Sequence, residues 1–210
     1  MPTSETIRET LLLIPPLLFA LTVHEFSHGW VAWKLGDPTA KDQGRLTLNP
    51  IAHLDLMGTL CILFTRFIGW AKPVPVDPRR FRDPVRGMAI VAAAGPASNF
   101  LLALLFAVII KTMLFSGIFG LLPQSLARPV FIMMLMSFTL NLGLGLFNLL
   151  PFPPLDGFRV ASVLLPLKWV WFCERYSFVF FMALVLLMLT GVIMAPIRLI
   201  ILNLQTMLIG

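Results

Sequence analysis

Long apolar runs separated by short polar interruptions dominate the chain. The first runs from about Ile7 to Leu35 and stops at Gly36-Asp37-Pro38, where a glycine permits a left-handed turn and a proline cannot continue a helix. It is long enough to cross a bilayer, and Pro15-Pro16 in its outer half would kink it or free backbone carbonyls. From Lys41 to Asn49 polarity rises, and Arg45-Leu46-Thr47-Leu48 alternates with the period of a half-exposed strand, which predicts a short hairpin or edge strand. Residues 51–70 are apolar only in their second half and carry His53, Asp55 and Arg66, a pattern that suits a short span or a re-entrant segment. A clear span follows from about Gly87 to Phe115, and another from Pro129 to Leu150. Pro151-Phe152-Pro153-Pro154 breaks the latter, a short helix opens at Leu155-Asp156-Gly157 and extends to about Leu165, and a last span runs from Phe178 to Leu204. The predicted fold is therefore an all-α polytopic membrane protein. It has about four transmembrane helices, a re-entrant segment and a short β-hairpin or edge strand after the first helix. Residues 1–210 read as a single integral membrane domain without internal repeats.

Composition sharpens this picture. The chain is 58% apolar and 12% charged, against roughly 45–50% and about 25% in soluble domains. A formal charge of +6 could suggest nucleic acid. The basic residues, however, gather in loops beside the helices, above all Lys72, Arg79, Arg80, Arg82 and Arg86 among prolines at 73, 75, 78 and 84. That distribution is a membrane-orientation signal, so the partner it implies is the lipid bilayer and no nucleic acid. Cys61 and Cys173 lie far apart in apolar surroundings and read as packed free thiols. In Ala92-Ala93-Ala94-Gly95-Pro96-Ala97-Ser98-Asn99 the small residues let another helix backbone approach closely.

The first apolar run contains His24-Glu25-Phe26-Ser27-His28. On a helix the two histidines stand on one face, where both imidazoles can bind one zinc while Glu25 reaches a metal-bound water. Ionisable groups in a membrane segment are costly and are read as functional. The motif also argues against a cleaved leader, because removing the first run would remove the chemistry. A catalytic zinc usually has three protein ligands, so a third must come from elsewhere, and the candidates are Asp156, Asp55 and His53. Asp156 is favoured because the proline break before it frees backbone at membrane depth, which is tolerated where that backbone lines a polar cavity. His53 and Asp55 read better as a capped turn at the membrane surface. Asn99 reads better as interhelical hydrogen-bond glue, and Asn148 equally well as glue or as a catalytic group.

Topology supplies a check. The basic loop at 70–86 and the polar patch Lys168, Glu174, Arg175 are separated by two spans and so share the cytoplasmic side. For His24 and His28 to lie at the depth of Asp156, the first helix must end on that side, which makes residues 51–69 re-entrant and places both termini outside. The motif then lies roughly ten Å from the helix end at about 1.5 Å per residue.

These motifs resemble the site-2 protease family of intramembrane zinc metalloproteases, in a compact form without PDZ or CBS domains. The resemblance rests on His24-Glu25-x-x-His28, on Gly95-Pro96-x-x-Asn99, and on Asn148-Leu149-Leu150-Pro151-x-Pro153-x-Leu155-Asp156-Gly157. It extends through Gly44-Arg45-Leu46-Thr47-Leu48-Asn49-Pro50 and Gly69-Trp70-Ala71-Lys72-Pro73-Val74-Pro75-Val76. It departs at Phe158, where a second glycine is common, and at Leu56, where a proline is common. The resemblance implies that His24, His28 and Asp156 bind one Zn²⁺, that Glu25 is the general acid/base, and that Asn148 lies near the scissile peptide. It further implies a membrane-anchored protein substrate and a multi-pass enzyme of a prokaryotic plasma membrane, its active site toward the cytoplasm. An edge strand at Arg45–Asn49 would hold the unwound substrate by strand addition. A zinc-binding membrane transporter without protease activity is the alternative, and Glu25 discriminates, because transport needs ligands while hydrolysis also needs a base.

Overall fold

The computed structural model describes residues 4–58 and 70–210. Helix α1 (Ser4–Lys34) carries the motif in its last third and ends in a Schellman arrangement. Gly36 adopts φ +106°, its N–H donates to Trp33 O, and the Asp37 N–H donates to Ala32 O at 2.9 Å. The fully buried Asp37 carboxylate then accepts from the Thr39 N–H, the Thr39 hydroxyl and the Asp77 N–H. Arg80 Nε lies 3.6 Å from the same group. This one side chain ties the end of α1 both to the short helix α2 (Thr39–Asp42) and to the basic loop.

Helix α3 (Pro84–Phe115) starts where Asp83 accepts from the N–H groups of Val85 and Arg86, with Pro84 at the first helical position. The four-residue α4 (Ile118–Leu121) leads into α5 (Gln124–Asn148). Ala103, Ala107 and Ile110 of α3 pack against Phe138 and Leu142 of α5 in one buried cluster. Alanines on one side admit the large side chains of the other, and Gly145 makes room for the Phe100 ring. Helix α1 lies against both α3 and α5, so three helices form the body of the molecule. Their apolar stretches Thr10–Lys34, Pro84–Phe115 and Gln124–Asn148 are each long enough to cross a bilayer. This is an α-helical membrane protein.

Beyond the proline break come α6 (Asp156–Ala161), a 3₁₀ turn, α7 (Leu167–Arg175), α8 (Ser177–Leu189) and α9 (Met194–Leu208). The single last span expected over Phe178–Leu204 is instead two short helices. Gly191, at φ +76°, closes α8 by donating to Met188 O. The 13 residues of α8 reach about 20 Å at 1.5 Å per residue, so α8 gains enough length for a span only together with α7, from which it is bent by 73°. The described residues therefore contain three spanning helices, or four if that bent pair counts as one.

The expected hairpin or edge strand at Arg45–Asn49 is not formed, and there is no strand among the described residues. Side chains take the place of a ladder here. Arg45 donates through a terminal guanidinium nitrogen to Lys72 O at 2.7 Å, and His53 Nε2 donates to Thr47 O at 2.8 Å. The backbone pairing that does form is an isolated antiparallel bridge between Leu54 and Ala71, extended by Lys72 N–H to His53 O. The middle of the expected re-entrant segment, residues 59–69, lies outside the described residues, and so does Cys61. Cys173 is a partly buried free thiol beside Phe152 and Trp169.

Candidate metal centre

His24 and His28 are one helical turn apart on α1, and both are buried. Val91, Gly95 and Asn99 of α3, spaced four residues apart, face them as a stripe. Gly95 is needed there, because a Cβ at that position would collide with His28 Nε2 and lie 2.6 Å from His24 Cε1. Asp156 arrives as the first residue of α6. The preceding break folds back so tightly that Gly157 abuts the carbonyls of Leu149 and Leu150 with no room for a side chain.

The hydrogen bonds assign the tautomers. His28 Nδ1 lies 2.7 Å from Val91 O, which can only accept, so Nδ1 carries the proton. His24 Nδ1 lies 2.6 Å from Asn99 Oδ1. The Asn99 amide is oriented in turn by its Nδ2 donating to Asn141 Oδ1 at 2.8 Å, while Asn141 Nδ2 donates to Ser137 O at 2.8 Å. The chain of donors leaves His24 protonated on Nδ1 as well, so both Nε2 lone pairs point inward. They lie 3.0 Å apart, and Asp156 Oδ2 is 3.1 Å from one and 3.4 Å from the other.

Three electron-rich atoms so close together repel one another unless a cation lies between them. Ligands about 2.0–2.1 Å from a tetrahedral zinc stand about 3.3 Å apart, and the three separations match that spacing. The nitrogen, nitrogen, oxygen donor set suits zinc and leaves one position for water or substrate.

Glu25, next to His24 on α1, is held by one carboxylate oxygen: its Oε2 accepts from the Val74 N–H at 2.9 Å. Asn148 stands at the end of α5 and donates to Leu144 O of its own helix at 3.0 Å. The other two ligand candidates are engaged elsewhere. His53 is buried on Thr47 O, and Asp55 accepts from the Gly58 N–H at 2.8 Å, a capped turn as expected. Asn99 is glue between α3 and α5, and it also fixes the orientation of the His24 ring. That second role was readable from its four-residue spacing from Gly95, had the two been seen as one stripe. Replacing Asn99 by alanine should weaken zinc binding roughly ten- to hundredfold in a competition titration, while Asn99→Asp, which keeps the acceptor, should bind more tightly than Asn99→Ala. Equal affinity in all three proteins would remove the orienting role.

No family model matches the chain, and no solved structure matches it. Among curated proteins it is 42% identical over 187 residues to YwhC of Bacillus subtilis (strain 168), covering 88% of this chain and 84% of that one. YwhC bears the name of a zinc metalloprotease. The chain belongs to the site-2 protease-like family of zinc metalloproteases. Two mycobacterial members named Rip2, also zinc metalloproteases by name, are more distant. The Mycobacterium tuberculosis H37Rv protein is 32% identical over 154 residues, 72% of this chain and 56% of its own length. That of Mycolicibacterium smegmatis is 37% identical over 98 residues, 45% of this chain and 38% of its own length. Membership in a zinc metalloprotease family and a nitrogen, nitrogen, oxygen trio whose two nitrogens come from a helix long enough to span a membrane point to the same chemistry.

Proposed function

We propose that the protein is an intramembrane zinc endopeptidase that holds one zinc per chain and hydrolyses a peptide bond within or near the transmembrane segment of membrane-anchored protein substrates. The observation that carries this reading is the convergence of His24, His28 and Asp156 from two separate elements, with Glu25 adjacent, on an apolar helix. Zinc held there would polarise the scissile carbonyl and acidify a bound water. Glu25 would act as the base toward the attacking water and return the proton to the leaving amine, so the carboxylate would end the cycle unchanged. Asn148 precedes the break that carries Asp156. Beyond its bond to Leu144 O it keeps a carbonyl and a second N–H with which to position a substrate backbone.

The inner face of a prokaryotic plasma membrane is the side this site faces in our reading. The contact between Asp37 and Arg80 puts the basic loop at the metal end of α1, and an excess of lysine and arginine marks cytoplasmic loops. Because Leu54 and Ala71 pair, the chain between them leaves and returns at one place, as a re-entrant segment requires. The whole of residues 1–210 acts as one catalytic domain in this reading.

Purified protein should contain zinc and cleave a membrane-anchored test substrate, and a chelator should abolish cleavage until zinc is restored. Glu25→Gln should keep its zinc and lose roughly a hundred- to ten-thousandfold in rate. A zinc-loaded protein that cleaves nothing but carries zinc into vesicles would replace the peptidase by a transporter.

A further inference from the structure

The segment from Ala71 to Asp77 crosses α1 beside the metal centre and is pinned along its length. Ala71 bridges Leu54, Lys72 exchanges backbone and guanidinium bonds with His53 and Arg45, and the Asp77 N–H is held by Asp37 at 2.7 Å. Between those anchors its sequence is Pro73-Val74-Pro75-Val76. The prolines have no N–H, so the Val74 N–H is the one backbone donor between Lys72 and Val76. It is the donor that Glu25 Oε2 accepts from, at 2.9 Å.

The close approach is built into α1 as well. Gly29 lies one turn beyond Glu25 on the same face, and a Cβ there would meet Val74 Cγ1 at 3.1 Å and Ala40 Cβ at 3.3 Å. The Val74 side chain is 8% exposed and seated in that gap. A backbone donor on a doubly pinned segment cannot rotate away as a side-chain donor could, and a bond from it to an ionised carboxylate is of the strong, charge-assisted kind.

We propose that Val74 is a positioning residue for hydrolysis: its backbone N–H fixes Glu25 by one carboxylate oxygen, so that the other oxygen is presented to the reacting water. The inference rests on the peptidase reading above and adds to it a reason for the proline-flanked segment. Proton transfer demands heavy atoms within about 2.6–3.2 Å, and a displacement of about 1 Å can cost about a hundredfold. Prolines on either side restrict the strap and remove competing donors, leaving Glu25 one place to rest.

The test is the full-length protein in lipid vesicles, with valine 74 replaced by its α-hydroxy acid. That exchange deletes the N–H and keeps the side chain. Expected is a fall in kcat of roughly ten- to a hundredfold, with KM within about twofold and zinc content unchanged. The same exchange at Val76, whose N–H does not bond Glu25, serves as control and should leave kcat within about twofold. A variant at position 74 with parental kcat overturns the proposal, and so does a rise in kcat, which would make the strap a restraint. An equal fall at both positions, or a loss of zinc at 74, assigns the effect to backbone structure and overturns it too. Parent protein that binds zinc but cleaves nothing instead overturns the peptidase reading, and the role of Val74 with it.

Discussion

The Asp156→Ala protein is expected to lose its zinc and its peptidase activity together. With the carboxylate gone, two imidazoles remain, and their Nε2 atoms 3.0 Å apart can settle by sharing a proton across the gap instead of a metal. Neither rival ligand can step in, because His53 is committed to Thr47 O and Asp55 to the turn at Gly58. Losing a direct ligand should cost more than the roughly ten- to hundredfold seen when an outer-shell partner is removed, so affinity should fall at least about a hundredfold. Cleavage should drop to background. Thermal unfolding in detergent provides a second reading. A metal that binds only the folded state adds about 2.7 kcal/mol at a hundred times its Kd, so zinc should raise the parent's Tm and leave the variant's unmoved. Stoichiometric zinc of parental affinity in Asp156→Ala would remove this residue from the centre.

That centre was legible in the sequence because each of its parts carries a local signature. Helical spacing puts His24 and His28 on one face, and proline punctuation announces the loop that brings Asp156. What could not be read were features that depend on side chains meeting across the fold. Arg45 alternates with apolar neighbours as a strand residue would, yet its guanidinium bonds Lys72 O, and that contact replaces the ladder which periodicity predicts. Phe178–Leu204 is mostly apolar, and Thr190-Gly191 and Pro196 interrupt it too weakly to mark an end, so the left-handed conformation at Gly191 is what reveals two helices in place of one. Glu25 was assigned from its motif, but nothing local says that a backbone N–H 49 residues away would hold it. Periodicity reports which face of an element is buried. It is silent on which polar partner waits there.

Gly95→Ala should be as damaging as the loss of a ligand, and for the opposite of the usual reason. Within a helix, glycine to alanine ordinarily gains about 1 kcal/mol, because alanine gives up less backbone entropy. At position 95 the added carbon would collide with His28 Nε2 and lie 2.6 Å from His24 Cε1. The obstacle consists of two rings, each held from behind by its Nδ1 bond to α3. They cannot retreat without breaking those bonds, and α3 cannot retreat without opening the seam that buries Asn99. Overpacking of this kind costs about 1–3 kcal/mol of stability. The larger effect should be on geometry, with zinc content near zero and no measurable cleavage. Gly143→Ala is the matched comparison on the neighbouring helix, since its Cβ would meet only Ile201 Cδ1, at 3.5 Å, an ordinary contact. That protein should keep its zinc and its activity and unfold at the same or a higher temperature. If Gly95→Ala instead retained full zinc and parental rates, the two imidazoles would have to have freedom that their hydrogen bonds deny them, and the preorganisation inferred for this centre would be wrong.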